Sequence, residues 1–359
     1  MEKKLMEKKL KVLVVDDDLV IRTLLSRIIS SSPRFEVVGT AVDAFDARDK
    51  IINLQPDLMT LDIEMPKIDG VTFLRKVMTH HPVPTIIISS LAHGGSAAAI
   101  AAMEAGAADA MPKPVMDRPG AVELFKADLL TRLEGAASRR AEPATRDVPS
   151  REAPRREVLA QLPERILENA IIAIGASTGG TEAIRAVLES LPAPVPPIVI
   201  VQHMPAVFTQ VFARNLAKSL PLEIIEARDG DVLKPGRVLI APGDFHMEVR
   251  GGNGRYSVTL NQGATLHGVR PAVDILFRSI ARIAGNRCVS AILTGMGKDG
   301  ADGAIALKQA GGWVAAQDEK TSVVFGMPKA VIDAGAADAV KPIHAIGDAL
   351  RAQLFKLKL

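Results

Sequence analysis

Short apolar runs recur along the chain from Lys11 onward, each followed by a stretch in which apolar residues return at helical spacing. The runs at 11–15, 35–40, 57–61, 84–88 and 108–111 are rich in Val, Ile and Leu and read as strands. Strands alternating with helices predict βαβ units and a parallel sheet. Carried to about Glu134, the pattern predicts an α/β fold of the flavodoxin-like type over residues 10–134: a doubly wound, five-stranded parallel sheet with ligands at the carboxyl ends of its strands. It then lapses. From about Ala136 to Glu168 the chain is rich in Arg, Glu, Ala and Pro with few large apolar residues. Such a stretch predicts a charged, extended linker over 135–168, with a short helix near Arg155–Leu162. A second alternation opens at Ala170, with strands at 170–175, 197–202, 237–241 and 288–294 and a hairpin at 246–260 about Gly251-Gly-Asn-Gly254. Residues 169–357 are therefore expected to form a second doubly wound, mostly parallel α/β domain that carries a β-hairpin.

Composition agrees with two domains, since 359 residues exceed the roughly 100–200 usual for one. Aromatic residues make up only 3% of the chain against 48% hydrophobic, so both cores must be mainly aliphatic. A net charge of +3 is too small to capture nucleic acid, and no nucleic-acid partner is expected. No apolar run approaches the roughly 18 residues of a membrane span, and the charged start Met1-Glu-Lys-Lys-Leu5 lacks the apolar region of a signal peptide. Those five residues recur as Met6–Leu10 and read as a local duplication. The lone Cys288, in an apolar run, reads as a buried strand thiol, which fits a cytoplasmic protein without membrane insertion.

Two acidic clusters end strands: Asp16-Asp17-Asp18 after the first and Asp62-Ile-Glu64 after the third. Adjacent parallel strands would crowd these carboxylates, which is tolerable only beside a hard cation such as Mg²⁺ or a cationic neighbour. Lys113, after the fifth strand, can supply that neighbour, and Ser89, ending the fourth, adds a hydroxyl. Each residue alone reads as a cap or loop residue; together they are the parts needed for phosphoryl transfer onto a carboxylate. In this order they resemble the response-regulator receiver family. The resemblance implies that Asp62 is the phosphoacceptor and that Asp16 and Asp17 hold Mg²⁺ with Asp62 and the Glu64 carbonyl. It also implies that Ser89 senses the phosphoryl group and that Lys113 contacts it. Ala110 stands where receivers usually carry an aromatic, so the resemblance does not extend to the hydroxyl-to-aromatic switch. Asp18 stands where many relatives carry Ser.

In the second domain a strand runs into Gly175-Ala-Ser177-Thr-Gly179-Gly180 and then a helical stretch. A Gly-x-Ser-x-Gly turn in that setting lifts a serine hydroxyl to the top of a sheet beside a helix N-terminus. The same turn could cradle a nucleotide phosphate or be structural only, although Gly-x-Gly-x-x-Gly and Gly-Lys-Ser/Thr are absent. His203 follows the next strand and Asp299 follows the strand at 288–294. Placed at the carboxyl edge of one parallel sheet, the three would form a Ser-His-acid set: His203 takes the Ser177 proton and Asp299 holds the imidazole. Their order along the chain differs from those of α/β-hydrolases, chymotrypsin and subtilisin.

The runs Gly-Ala-Ser-Thr-Gly-Gly-Thr-Glu-Ala-Ile, Gln-His-Met-Pro, Ala241-Pro-Gly-Asp-Phe-His246-Met, Arg270-Pro-Ala-Val-Asp274, Leu-Thr-Gly-Met-Gly-Lys-Asp-Gly and Val-Phe-Gly-Met-Pro328 are very similar to those of the CheB chemotaxis methylesterase family. The likeness reaches from about Lys11 to the C-terminus, apart from the linker. It implies a catalytic triad of Ser177, His203 and Asp299, with the Met296 N–H and the neighbourhood of Thr178 forming an oxyanion hole. The implied reaction is hydrolysis of glutamyl methyl esters on the cytoplasmic helical bundle of chemoreceptors, needing no cofactor, with glutamine deamidation as a related activity. Arg270 and the exposed Arg214 are candidates for engaging the acidic receptor surface. A chemotaxis histidine kinase is the implied phosphodonor. Phosphorylation of Asp62 would release a receiver packed over the triad edge.

Overall fold

The computed structural model describes residues 9–89, 95–114, 120–137, 161–252 and 255–359. The chain divides into two compact units, one up to Arg140 and one from Ala141.

In the first unit, strands β1 (Leu10–Val15), β2 (Phe35–Ala41), β3 (Leu58–Leu61), β4 (Thr85–Ser89) and β5 (Asp109–Pro112) form one parallel sheet in the order β2-β1-β3-β4-β5. Its central strands are buried on both faces, which is why they read as unbroken apolar runs. Helices α1 (Leu19–Ser30), α2 (Ala44–Leu54), α3 (Gly70–His80), α4 (Gly95–Glu104) and α5 (Ala121–Ala137) follow the strands in turn. Three of them start on an aspartate cap. Asp18 Oδ1 accepts from the Val20 N–H at 2.7 Å, Asp43 Oδ1 from Phe45 at 3.0 Å, and Asp69 Oδ1 from Thr72 at 2.9 Å. Phe35 and Phe125 sit in a mainly aliphatic core with the two strand valines Val12 and Val14, Ile86 and Leu129. Gly70 lets α3 approach the end of β3, because a Cβ there would lie 2.3 Å from the Asp62 carbonyl oxygen.

The second unit opens with α6 (Glu164–Asn169), whose Ile166 is buried, and Leu162 just before it is buried as well. The far end of the predicted linker is thus anchored by apolar residues four apart. The part of the expected short helix at 155–160 lies outside the described residues, and Gln161–Pro163 is irregular. Seven strands then form a wholly parallel sheet in the order β14-β13-β12-β6-β7-β9-β8. They are β6 (Ile171–Ala176), β7 (Ile198–Gln202), β8 (Glu223–Glu226), β9 (Arg237–Ile240), β12 (Cys288–Ile292), β13 (Trp313–Gln317) and β14 (Ala339–Lys341). The predicted hairpin forms as β10 (His246–Gly252) against β11 (Arg255–Asn261), antiparallel and separate from the large sheet. Helices α7 (Gly180–Ser190), α8 (Ala206–Ser219), α9 (Val273–Ala284), α10 (Ala301–Gln309), α11 (Met327–Asp333) and α12 (Ile343–Leu354) complete the unit. From β6 the chain crosses to β7 on one side, while β12 pairs on the other. The carboxyl end of β6 is therefore the switch point at which a doubly wound sheet opens a crevice. Cys288 is fully buried in β12, as the sequence predicts.

Candidate active site

Ser177 leaves β6 at that switch point. Its N–H donates to the Thr294 carbonyl at 3.0 Å, which ties the turn to the end of β12. The turn needs its glycines. Gly179 has φ of 77°, and a Cβ there would meet Val323 at 2.4 Å; at Gly180 a Cβ would lie 2.1 Å from Gln202 Oε1. Gly295 presses against the serine, since its added Cβ would sit 2.7 Å from Ser177 Cβ. Helix α7 then begins with no side-chain cap, and the N–H of its first residue, Gly180, turns back to donate to the Ser177 carbonyl at 2.7 Å.

His203 sits one residue beyond β7, where Ala176 is the strand partner of Gln202, and its N–H donates to the Ala176 carbonyl at 3.0 Å. Ser177 and His203 are thus neighbours by sheet register. The Gln202 side chain, buried, donates from Nε2 to the Ser177 carbonyl at 2.9 Å and to the His203 carbonyl at 3.2 Å. One amide therefore holds both backbone segments.

Asp299 meets the imidazole: His203 Nε2 and Asp299 Oδ2 are 2.8 Å apart. The same carboxylate accepts the Val273 N–H at 2.7 Å and, through Oδ1, the Asp274 N–H at 3.0 Å. Burial pushes this carboxyl up, but the hydrogen bond and charge of His203 and the two N–H groups outweigh it and hold it below the usual carboxylate range. An ionised carboxylate only accepts, so Nε2 carries the proton and Nδ1 is the basic nitrogen. Nδ1 bonds to no described residue, and neither does Ser177 Oγ, so the serine and the imidazole are adjacent without a direct hydrogen bond.

Of the remaining sequence candidates, Thr178 is buried and its carbonyl accepts from Thr294 Oγ1 at 2.9 Å. Met296 follows Gly295 on the loop beside Ser177, and its N–H bonds to no described residue, as an oxyanion donor requires. Arg270 is a loop clamp: its guanidinium pairs with Asp244 and donates to the carbonyls of Gln262 at 3.1 Å and Gly263 at 2.7 Å. With four of its five N–H groups so used, at most one is left for a substrate. Arg214 is exposed on α8, in a hollow it lines with Arg228, Glu226 and Asp231. Gln202 and the His267–Asp274 pair, 2.9 Å apart, were given no role by sequence reasoning. Gln202 lies inside the Gln-His-Met-Pro run, and Asp274 ends the run from Arg270.

At the carboxyl edge of the first sheet, Lys113 Nζ lies 2.7 Å from Asp62 Oδ2 and 3.1 Å from Asp16 Oδ2. Both carboxylates are buried, and ligand atoms of Asp16, Asp17 and Asp62 lie within 4.8 Å of one another. Burial, reinforced by the charge of Asp62, pushes the Asp16 carboxyl up to about 6 against the pull of Lys113. Asp62 is raised as well, first by burial. Asp16 Oδ2 has only the Lys113 ammonium at 3.1 Å beside it among the described residues, and one lysine cannot neutralise three carboxylates. An oxygen-rich, under-neutralised donor set of this kind suits Mg²⁺. Ser89 is buried at the end of β4, and its carbonyl accepts the Lys113 N–H at 2.8 Å.

Comparisons with known proteins find relatives of both units. The family model described as CheB methylesterase matches residues 172–350, and that of the response regulator receiver domain matches residues 12–122. A protein-glutamate methylesterase/protein-glutamine glutaminase of Bdellovibrio bacteriovorus is 47% identical over 97% of this chain and 98% of its own length. One from Pseudomonas aeruginosa is 46% identical over 95% and 96%. The crystal structure of the Thermotoga maritima CheB methylesterase catalytic domain, 44% identical, covers 52% of this chain and 98% of its own with a TM-score of 0.50. Reading the Gly-rich turn as a nucleotide cradle gives way to the enzyme reading. Among the described residues no helix is long and apolar enough to cross a membrane. With a serine turn, a His–Asp pair and a receiver's acidic pocket on one chain, the protein belongs to the CheB family of chemotaxis protein-glutamate methylesterase/protein-glutamine glutaminases with a receiver domain.

Proposed function

We propose that the chain hydrolyses glutamyl methyl esters on the cytoplasmic helical bundle of chemoreceptors by a Ser177-His203-Asp299 mechanism, under control of phosphorylation at Asp62. The observation that carries the catalytic part is the 2.8 Å contact of His203 with a buried, ionised Asp299, one strand away from Ser177. Ser177 Oγ attacks the ester carbonyl and its proton passes to His203 Nδ1. The oxyanion is met by the Met296 N–H and by the neighbourhood of Thr178 at the turn. His203 returns the proton to the departing methoxide, which leaves as methanol. Water, deprotonated by His203, then splits the acyl-enzyme to free glutamate and restores Ser177. A glutamine side chain would follow the same course with ammonia as the leaving group. The single free N–H of Arg270 could contact the substrate's flank, with Arg214 a more distant receptor contact.

In the receiver, Asp16, Asp17 and Asp62 would hold Mg²⁺, which supplies charge neutralisation for phosphoryl transfer from a histidine kinase. Lys113 and Ser89 would meet the phosphoryl oxygens on Asp62. Methanol release from methylated receptor, with and without a small phosphodonor, tests both parts. Loss of turnover in Ser177→Ala and loss of the phosphodonor effect in Asp62→Asn are expected; unimpaired turnover in the first, or wild-type activation in the second, would sink the corresponding part.

A further inference from the structure

Behind the His203–Asp299 pair lies a second acid–imidazole pair. Asp274, at the start of α9, is fully buried, and its Oδ2 is 2.9 Å from His267 Nε2. Its Oδ1 accepts the Gly300 N–H at 3.0 Å and the Gly303 N–H at 2.6 Å, the residues that carry the chain away from Asp299. Its own N–H donates to Asp299 Oδ1 at 3.0 Å. Ligand atoms of His267, Asp274 and Asp299 all fall within 4.8 Å of one another. His267 belongs to the loop before α9 and takes a left-handed backbone, φ 54°, uncommon outside glycine, while its ring closes over Asp274. A non-glycine residue in that conformation indicates that the surroundings fix the loop.

Two buried carboxylates side by side repel, and one tends to take a proton. Every oxygen of Asp299 is already committed to His203 and to the N–H groups of Val273 and Asp274, which favours its ionised form. Asp274 is the member pushed up, first by burial and then by the charge of Asp299, while the N–H of Gly303 and His267 pull it down. Among the described residues the other charged or titratable groups near the pair are Arg278 on the same helix, itself paired with Asp302 at 2.9 Å, and His246, whose Nδ1 accepts the Ala272 N–H. Among the described residues His267 is the one side chain that bonds Asp274 Oδ2.

We propose that His267 is a positioning residue for the esterase reaction, which keeps Asp274 ionised so that two negative charges, not one, stand behind the His203 imidazolium. The inference rests on the triad reading above. Without His267, Asp274 Oδ2 has no donor and the carboxyl takes a proton. The N–H groups of Gly300 and Gly303 then keep an acceptor, so the fold persists, but the imidazolium of His203 loses one of its two charges. His203 becomes a weaker base toward Ser177, and the acidic limb of the rate profile moves to lower pH.

The test is the pH profile of kcat and KM for methanol release in the full chain, comparing wild type, His267→Ala, His267→Gln and Asp274→Asn, with Ser177→Ala as the control. For His267→Ala, kcat at neutral pH falls about tenfold while KM stays within about twofold, and the acidic limb of kcat/KM shifts to lower pH. Asp274→Asn gives the same shift, and His267→Gln, which keeps an N–H donor, restores most of the rate and the wild-type limb. Thermal unfolding of each variant separates loss of fold from loss of rate, and His267→Gln is the variant least prone to it. A uniform loss without movement of the acidic limb, or no loss at all, overturns the proposal while leaving the triad intact. Turnover persisting in Ser177→Ala would instead remove the triad reading on which the proposal stands.

Discussion

The imidazole of His203 and the carboxylate of Asp299 meet at 2.8 Å through Nε2, across the switch point of the seven-stranded sheet. Asp299 is held there from three sides, by His203, Val273 and Asp274, so the imidazole orientation is set before substrate arrives. Replacing Asp299 with Asn presents a donor to Nε2 and turns the imidazole to the wrong tautomer. We expect kcat to fall about 10³–10⁴-fold, the scale seen for such a change in serine hydrolases, with KM little changed. Steady-state methanol release checks this, and a loss of less than about tenfold would show that Asp299 does not orient the base.

Gln202 is predicted to matter through two carbonyls. Its Nε2 bridges Ser177 and His203, and Gln202→Met keeps the volume while removing both bonds. A buried donor lost next to two carbonyls costs about 1–3 kcal/mol, part of it in the alignment of nucleophile and base. The expected outcome is a kcat lowered about tenfold in a folded protein. Gly180→Ala should behave similarly, because its Cβ would drive into Gln202 Oε1. Circular dichroism with kinetics decides: native spectra and unchanged kcat in both variants would contradict the bridge.

Much of this was legible in the sequence and some was not. The strand ends that deliver Asp16, Asp62, Ser177 and His203 follow unbroken aliphatic runs, and those runs matched the observed strands to within a residue or so. Strands β8, β13 and β14 went unread, being short or rich in Ala and charge: Glu-Ile-Ile-Glu, Trp-Val-Ala-Ala-Gln and Ala-Val-Lys. Their packing beside longer neighbours, not their own pattern, makes them strands. The Gln202 bridge and the His267–Asp274 pair depend on contacts between the ends of separate segments, for which local spacing carries no signal. Arg270 shows the reverse: a cation that sequence reasoning turned toward substrate is largely spent on Asp244 and two carbonyls.

Asp16 carries a stability cost with a definite sign. Its folded carboxyl titrates near 6, above the 3.8 of an ordinary aspartate. Between those values the folded receiver keeps a proton that the unfolded chain has released, so stability declines as pH rises through that window. Asp16→Asn removes the cost, and β1 amides should exchange more slowly at pH 7 without Mg²⁺, by about 1–2 kcal/mol. Below 3.8 the advantage should vanish. Hydrogen exchange followed at both pH values checks it; faster exchange of β1 in Asp16→Asn at pH 7 would contradict the assigned repulsion.

Metal removal should separate the two sites. Chelation of divalent ions is expected to abolish transfer of phosphate from a small phosphodonor to Asp62, because the charge of Asp16, Asp17 and Asp62 is left to Lys113 alone. Basal methanol release should stay within about twofold, since the triad needs no ion. Phosphorylation by gel or mass shift, with turnover measured in the same samples, checks both. Loss of basal turnover on chelation would place a metal in the esterase reaction.

The serine at the Gly-rich turn is the central claim, and a covalent trap tests it most directly. A fluorophosphonate, which reacts with an activated serine hydroxyl, should leave its mass on the peptide containing Ser177 in the wild type. Labelling should disappear in Ser177→Ala and fall sharply in His203→Gln, where the hydroxyl has no base. Labelling at another residue, or a wild-type labelling rate in His203→Gln, would contradict the account.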